Sequence, residues 1–249
     1  MSIDFGRACK DVFSTEKKWM TLLGLCVCML IPVAGPMVAF GYMTHRFMRE
    51  REGKPAEDFD FNFFAEYLKI GLWPVLATMV ASLVLVPIVL IFMAPFFVAP
   101  FIAEENETLA IILMLGGTVL YMLGIFVATL FFYPIWIRSA LTMDFKSGFS
   151  WSFMKSFVRK VGLSLLGYYL LLSLISIPLM MAGYLALIVG VYVVAAWLQF
   201  AMFHLVFQHY DLFLERGGER IEVNPDVTRE LGRPPLPKPA VPDPPEAIE

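Results

Sequence analysis

Three long apolar stretches alternate along the chain with four short segments that contain every lysine and arginine. The apolar stretches are residues 19–44, 70–137 and 161–210. Their only charged residues are three acids near the middle of the second stretch, Glu104, Glu105 and Glu107. The uncharged runs are all longer than the roughly 20 residues that a membrane helix needs. The pattern predicts an all-α integral membrane protein.

The basic segments predict how the chain is threaded through the membrane. They are residues 1–18, 45–69, 138–160 and 211–249. Short loops rich in Lys and Arg stay on the cytoplasmic side. If all four segments obey this rule, each apolar stretch must enter the bilayer and come back. We therefore predict six membrane-embedded helices arranged as three hairpins, with both termini in the cytoplasm.

The first apolar stretch predicts a short hairpin. Pro32, Gly35 and Pro36 interrupt any continuous helix in its middle. Each arm then has about 16 residues, or about 24 Å, which is less than the roughly 30 Å hydrocarbon core. The turn is therefore expected to stop short of the far face, as in a re-entrant hairpin. One kinked crossing is the alternative, and the basic residues of 1–18 oppose it because it would place the amino terminus outside.

The second and third stretches predict longer hairpins. In the second, a helix over 70–93 is broken at Pro95 and Pro100, an acidic external loop follows at 103–108, and a helix over 109–137 returns. In the third, Pro178 and Gly183 mark the turn between helices near 161–180 and 184–210.

An internal repeat emerges at an offset of 91 residues. Lys69-Ile70-Gly71-Leu72 matches Lys160-Val161-Gly162-Leu163, and Pro87 matches Pro178. Aromatic amphipathic stretches at 59–69 and 150–160 precede the two copies, and such stretches typically lie in the membrane interface. We predict three units, each an interfacial helix followed by a membrane hairpin.

The end of the chain has a different composition. Residues 223–249 contain eight prolines and few large apolar side chains, which is too little apolar surface to offset the cost of ordering them. We therefore divide the chain into a membrane domain at 1–222 and a disordered, Pro-rich cytoplasmic tail at 223–249.

Candidate chemistry is sparse. The predicted membrane interior has no Asp, Glu, Lys or Arg, which argues against an ion-coupled transporter and an aspartyl intramembrane protease. No nucleotide-binding, hydrolase or zinc-site motif occurs in its required context, and the loops carry no nucleic-acid footprint. We predict no catalytic, cofactor-binding or metal-binding residue, and no cofactor.

Three histidines keep one enzymatic alternative open. His45, His204 and His209 lie near the predicted cytoplasmic ends of returning helices, where they could approach one another. A metal site would need two of them plus a carboxylate in suitable geometry. Tyr42, Gln199 and Tyr210 are more typical of interhelical hydrogen bonds than of catalysis.

The stretch 31–72 resembles a known family. It contains Ile31-Pro32 before Gly35, then Gly41-Tyr42, Arg46, Gly53, Asp58-Phe59-Asp60 and Gly71-Leu72. These residues resemble the prokaryotic membrane proteins grouped as domain of unknown function 4013. The chain departs from the family pattern at Pro55, which Ala-Glu-Asp separates from Phe59. The resemblance implies a multi-pass protein of a prokaryotic plasma (inner) membrane, and it implies no substrate or catalytic residue.

The sequence favours a non-enzymatic scaffold, or an accessory of membrane assembly or transport. The alternative is a transporter or lipid-handling protein for an uncharged or amphipathic molecule, because proline-broken helices and repeats occur in transporters. A polar cavity between the hairpins would favour this alternative, and a solidly packed bundle would favour the scaffold. The expected partner is the bilayer, with anionic headgroups at the basic segments.

Overall fold

A computed structural model describes residues 3–232 as a helical bundle. Its helices are α1 (Phe5–Lys10), α2 (Lys18–Leu30), α3 (Ala34–Arg51), α4 (Phe64–Ala103), α5 (Glu107–Thr142), α6 (Phe145–Gly148), α7 (Trp151–Leu185), α8 (Leu187–Glu215) and α9 (Pro225–Thr228). Short 3₁₀ turns at Asp11–Phe13 and Phe61–Phe63 complete the regular structure. No strand occurs among the described residues, so the all-α class is confirmed.

Four helical segments are long and apolar enough to cross a membrane. They are Phe61–Pro87, Glu107–Thr142, Trp151–Leu185 and Val189–Glu215. The sequence predicts six membrane-embedded helices, but α2 has only 13 residues and the second half of α3 is strongly charged. The membrane insertion of α2 and α3 therefore stays a prediction.

Helix α4 continues past the predicted break at Pro95 and ends at Ala103 with four prolines inside it. Proline is tolerated in apolar helices because neighbouring groups and hydroxyl side chains compensate for the lost backbone bonds. Near Pro74, Thr78 Oγ1 donates to the Pro74 carbonyl at 2.6 Å, whereas the carbonyl that Pro74 leaves without its helical N–H donor is that of Ile70. Farther along, Pro95 packs against α5, and a Cβ atom at Gly117 would lie 2.8 Å from the Pro95 Cβ.

Helix α7 also runs through its predicted break. The turn lies at Ala186 rather than between Pro178 and Gly183. Gly183 instead lets α7 and α8 approach closely, since a Cβ there would lie 3.0 Å from the Gly190 carbonyl carbon. The stretch 150–160, predicted as a separate interfacial helix, is mostly the first turns of α7, because no helix-breaking residue separates it from the span.

The stretch 59–69 is likewise joined to its span, through the 3₁₀ turn Phe61–Phe63 and the start of α4.

The two copies of the predicted repeat differ in packing at their matched glycines, Gly71 and Gly162. A Cβ at Gly71 would overlap the Met37 carbonyl oxygen of α3, whereas a Cβ at Gly162 would meet mainly Val158 of its own helix, at 3.2 Å. The two positions are therefore not equivalent in packing.

Helices α2 and α3 pack together across a tight turn at Ile31–Val33. Val33 has a positive φ of 64°, and a Cβ at Gly35 would lie 3.1 Å from the Cys28 Cα. Helix α3 then crosses α4 at Gly41 and Gly71, where a Cβ on Gly41 would lie 3.0 Å from the Gly71 nitrogen. Backbone contact at this crossing holds the second half of α3 inside the bundle.

All four basic segments meet at one end of the bundle, hereafter the basic end. Arg46 of the second segment contacts Asp11 of the first. Lys69 contacts Asp226 at 2.6 Å, and Arg138 of the third segment contacts Glu219 at 3.3 Å. Most of the bundle's large buried side chains lie near this end, including Tyr42, Tyr67, Phe153, Phe157, Phe200 and Phe213.

The first part of the predicted tail is ordered, which corrects the boundary at Val223. Val227 is fully buried in the core, and its carbonyl lies 2.7 Å from His45 Nδ1. The Asn224 N–H donates to the Leu141 carbonyl at 2.8 Å. The high proline content of the tail concealed this segment, in which Val227 is buried and Val223 and Leu231 also pack against the core. The rest of the tail, 233–249, lies outside the described residues.

Truncation should separate these two parts of the tail. A stop codon after Glu222 removes Val227 and the His45 contact, and we expect a loss of about 2–4 kcal/mol of stability, as for other buried aliphatic truncations. A stop codon after Gly232 keeps these contacts and should leave the thermal midpoint in detergent nearly unchanged. Equal midpoints for the two truncated proteins would contradict the docking of 223–232.

Candidate functional site

The second half of α3 carries charged side chains into the core at the basic end. His45 and Arg46 are fully buried, and Arg49 is 9% exposed. An isolated buried charge is costly, so such groups need ionic and hydrogen-bonding partners. The partners come from the 3₁₀ turn after α1, from the loop after α3 and from α8, and together they form a polar cluster.

Arg46 is the centre of this polar cluster. Its Nε donates to Glu50 Oε1 at 2.9 Å, one helical turn along α3. One terminal nitrogen reaches the amino-terminal segment and donates to the Asp11 carbonyl at 2.8 Å and to Ser14 Oγ at 3.0 Å. The same nitrogen lies 3.2 Å from the Asp11 carboxylate. The guanidinium also stacks over Phe200 at 4.8 Å, so one residue joins α3, the 3₁₀ turn after α1, and α8.

Glu57, in the loop after α3, contacts two further side chains of α3, Arg49 and His45. Its carboxylate lies 2.8 Å from an Arg49 nitrogen and 3.1 Å from His45 Nε2. Its backbone carbonyl accepts a hydrogen bond from the Tyr42 hydroxyl at 2.8 Å. Tyr42 in turn accepts from Arg46 at 3.2 Å, so the Arg46 and Glu57 contacts belong to one network.

Helix α8 closes the cluster from the other side. His204 Nδ1 lies 3.3 Å from Asp11 Oδ2, and Arg51 pairs with Asp211. Gln208 forms reciprocal hydrogen bonds with the backbone of Asp4, at 2.7 and 3.0 Å. The amino-terminal segment is therefore held against α8 by the His204–Asp11 contact and by the two Gln208 hydrogen bonds.

The surroundings of Asp11 make the cluster sensitive to acid. Burial acts to raise the pKa of Asp11, but contact with His204 and the charge of Arg46 outweigh it and hold the pKa below its ordinary value of 3.8. A carboxylate with a lowered folded-state pKa contributes stability that is present above its unfolded pKa and is lost as pH falls through the folded one.

We therefore expect the thermal midpoint of the protein to fall as pH drops below about 4. Asp11→Asn should be less stable than the wild type at pH 7, because Arg46 loses its charged partner. The difference should shrink below pH 4, where the wild-type carboxyl also becomes neutral. A difference that stays constant from pH 7 to pH 3 would contradict the lowered pKa. The measurement is a thermal-denaturation series in detergent.

The three histidines occupy separate contacts. His45 contacts Glu57 and the Val227 carbonyl, and His204 contacts Asp11. His209 lies 2.7 Å from the Leu205 carbonyl and 3.2 Å from Ser164 Oγ. Within residues 3–232, no three His, Cys, Asp or Glu residues are grouped so that they could hold a metal ion. Each histidine therefore has its own set of polar contacts.

The hydrogen-bonding residues chosen from the sequence have mixed outcomes. Tyr42 joins the polar cluster, and the Tyr210 hydroxyl accepts from the Ile221 N–H at 2.9 Å. Gln199 instead lines a cavity among α3, α4, α5 and α8.

Arg46 and Asp11 were not predicted as site residues, because the charges of the basic segments were used only to predict which side of the membrane each segment occupies. The spacing of Tyr42, Arg46 and Glu50, each four residues apart, was the available signal.

An open groove lies beside the polar cluster at the surface. It has a volume of about 630 Å³. Arg7, Lys10 and Lys54 line it together with the acids Asp11 and Glu50. Since Arg46 engages both acids, the cations Arg7 and Lys10 dominate the exposed rim.

These observations define a helical membrane protein with an ion-paired cluster at one end of an apolar bundle. Residues 24–191 match the family described as "Protein of unknown function (DUF4013)". Since the match covers more than half of the 249 residues, the chain belongs to this family. No curated protein and no solved structure matches it.

Proposed function

We propose that this protein is a non-enzymatic scaffold of a prokaryotic plasma membrane. Apolar helices would anchor it in the bilayer, and the basic end would present a rigid surface in the cytoplasm. The convergence of all four basic segments at one end of the bundle, where ion pairs join them, supports this function most strongly. The network joins the amino-terminal segment, α3, the following loop and α8, so the surface has a fixed shape suited to holding a partner.

The groove beside the cluster is the proposed partner contact. Arg7 and Lys10 are exposed at its rim. Cations at this position, close to the membrane surface, attract anionic lipid headgroups or an acidic protein segment. Asp11 and Glu50 line the groove and are both held by the buried Arg46, so this wall would keep the rim residues in place.

In vivo photo-crosslinking can test whether the groove binds a protein partner, as the proposed scaffold requires. A photoreactive amino acid at Ala56, which lines the groove, should give a discrete protein adduct that is lost when Arg7 and Lys10 are both changed to Glu. The same probe at Leu163, which is 86% exposed on α7, is the control and should give lipid adducts only. Lipid adducts alone at Ala56 would contradict a protein scaffold.

A lipid-handling protein is the second candidate. The cavity among the helical spans favours it over a carrier of polar solutes, because the lining is mostly aromatic and aliphatic. Purified protein in vesicles would then speed the movement of a fluorescent phospholipid between leaflets. A scaffold should leave that rate at the level of protein-free vesicles.

The proposed orientation can be tested by labelling. In a variant lacking Cys9, Cys26 and Cys28, single cysteines would replace one residue in each basic segment and one in the acidic connection. Suitable positions are Gly6, Pro55, Ser152, Glu222 and, in the acidic connection, Glu105. Only the cysteine at position 105 should react with a membrane-impermeant thiol reagent in intact cells. Labelling at position 6 from outside would contradict a cytoplasmic amino terminus.

A further inference from the structure

A second open groove at the basic end combines an aromatic wall with carboxylates. Its volume is about 610 Å³, and it lies between the start of α2, the loop before α4 and the end of the described chain. The aromatic side chains that line it are Phe59, Phe61, Phe63 and Tyr67. Phe61 is 48% exposed at the surface, whereas Phe59 and Tyr67 are buried and form the inner wall.

The aromatic wall of this groove is held by ring contacts. The ring centroid of Phe59 lies 4.9 Å from that of Phe61 and 5.6 Å from that of Tyr67. The Phe63 and Tyr67 centroids are 6.4 Å apart. Tyr42 of α3 supports the wall from the core, with its centroid 5.2 Å from that of Phe59. Aromatic-lined grooves of this kind bind proline-rich segments in the polyproline II conformation.

The groove is also mainly negative. Its charged lining consists of Glu57, Asp58, Asp60, Glu230 and Lys17. Glu57 is already paired with cations of α3. Asp58 instead accepts from the Lys17 N–H at 3.1 Å and from the Thr21 hydroxyl at 3.2 Å, and Asp60 accepts from the Asn62 N–H at 2.9 Å. These donors are neutral, so both carboxylates keep a charge that a cationic ligand can complement.

The described part of the chain ends at this groove. Leu231 lines it, and the Gly232 N–H donates to the Glu66 carboxylate at 3.3 Å. A Cβ atom at Gly232 would lie 3.4 Å from the Phe63 ring. The next seven residues, which lie outside the described range, are Arg233-Pro234-Pro235-Leu236-Pro237-Lys238-Pro239. In polyproline II they would span about 22 Å, at about 3.1 Å per residue.

We propose that residues 233–239 bind this groove as a polyproline II segment of the same chain. Their prolines and single leucine supply the apolar surface that such segments place on aromatic side chains. Arg233 and Lys238 supply positive charge for the two carboxylates with neutral partners. Polyproline II has no internal hydrogen bonds, so the segment needs no apolar core of its own to bind in this form.

The tether strengthens this binding without any further contact. A short tether gives an effective concentration on the order of millimolar, so a weak intrinsic affinity is enough to fill the groove. A weak contact with a surface that is already folded shifts the thermal midpoint little. The proposal therefore agrees with the small effect expected for truncation after Gly232.

Photo-crosslinking within the full-length protein tests this binding. Leu236 is replaced by benzoylphenylalanine, the purified protein is irradiated in detergent, and the adducts are located by mass spectrometry. We expect adducts within the same chain, concentrated on Met20 and Phe61, which are exposed side chains of the groove. The same probe in place of Ile248, beyond the proposed segment, should give far fewer groove adducts.

Matched variants separate binding from mere proximity, because the tether alone brings position 236 near the groove. Arg233→Glu combined with Lys238→Glu keeps the tether and the prolines, and Phe61→Ala removes the exposed ring. Each should lower the yield of groove adducts by roughly fivefold, as for loss of one important contact. Trp151→Ala removes an exposed aromatic side chain of α7 outside the groove and should leave the yield unchanged.

The charge-reversed variant changes no residue within 3–232, so its result does not depend on whether Phe61→Ala folds normally. An unchanged yield in the charge-reversed variant would overturn the proposal. Adducts only between differently tagged copies of the protein would also overturn it, because the segment would then bind a second copy. Adducts with detergent alone would show that the groove does not bind the segment.

Discussion

Arg46→Met is expected to destabilise the protein by about 3–5 kcal/mol, the usual cost of removing one member of a buried ion pair. The loss has two parts. Asp11, which is 8% exposed, would keep its charge without the guanidinium, and the amino-terminal segment would lose its strongest link to α3. The measurement is the free energy of unfolding in a denaturant titration of the detergent-solubilised protein.

Two further variants define the origin of that loss. Arg159→Met removes an equal charge from an exposed site on α7 and should change stability by less than about 0.5 kcal/mol. The double variant Arg46→Met with Asp11→Asn should recover part of the loss, because no unpaired carboxylate then remains at position 11. Similar destabilisation by Arg159→Met and Arg46→Met would show that net charge, and not the buried network, is responsible.

The long helices could be predicted because each depends on local composition. Uncharged runs exceed the length of a bilayer crossing, and α5, α7 and α8 occupy them. The helix ends were less predictable. Pro95 and Pro178 break soluble helices, but both lie inside continuous helices here. In an apolar segment without water, the backbone has no better alternative than to continue the helix.

The polar cluster could not be predicted, because its contacts join residues far apart in the chain. Asp11 and Arg46 are 35 residues apart, and His45 and Val227 are 182 apart. A positive charge near a membrane helix normally indicates a solvated cytoplasmic loop. In this protein the crossing of α3 and α4 carries Arg46 inward, so a residue from which the sequence predicts sidedness lies in the core.

A substitution at the crossing of α3 and α4 is expected to cause the second large loss of stability. In Gly71→Ala the new Cβ would overlap the Met37 carbonyl oxygen and lie 2.8 Å from the Gly41 nitrogen. These atoms belong to the backbone of α3, so no side-chain rotation relieves the clash and the two helices must separate. Overpacking usually costs about 1–3 kcal/mol, and we expect a loss at or above the top of that range. Separation would also move Arg46 away from its partners.

Gly167→Ala in α7 is the control with the opposite expected sign. Apart from its chain neighbours and its own helix backbone, no atom of residues 3–232 lies within 4 Å of the new Cβ. Alanine in a helix is also favoured over glycine by roughly 0.5–1 kcal/mol. Gly162→Ala should have only a small effect, because the Val158 side chain of the same helix can adjust. Equal destabilisation by Gly71→Ala and Gly162→Ala would support an internal repeat with equivalent glycines. A harmless Gly71→Ala would mean that α3 and α4 do not touch at this crossing, and the buried position of Arg46 would then lose its structural basis.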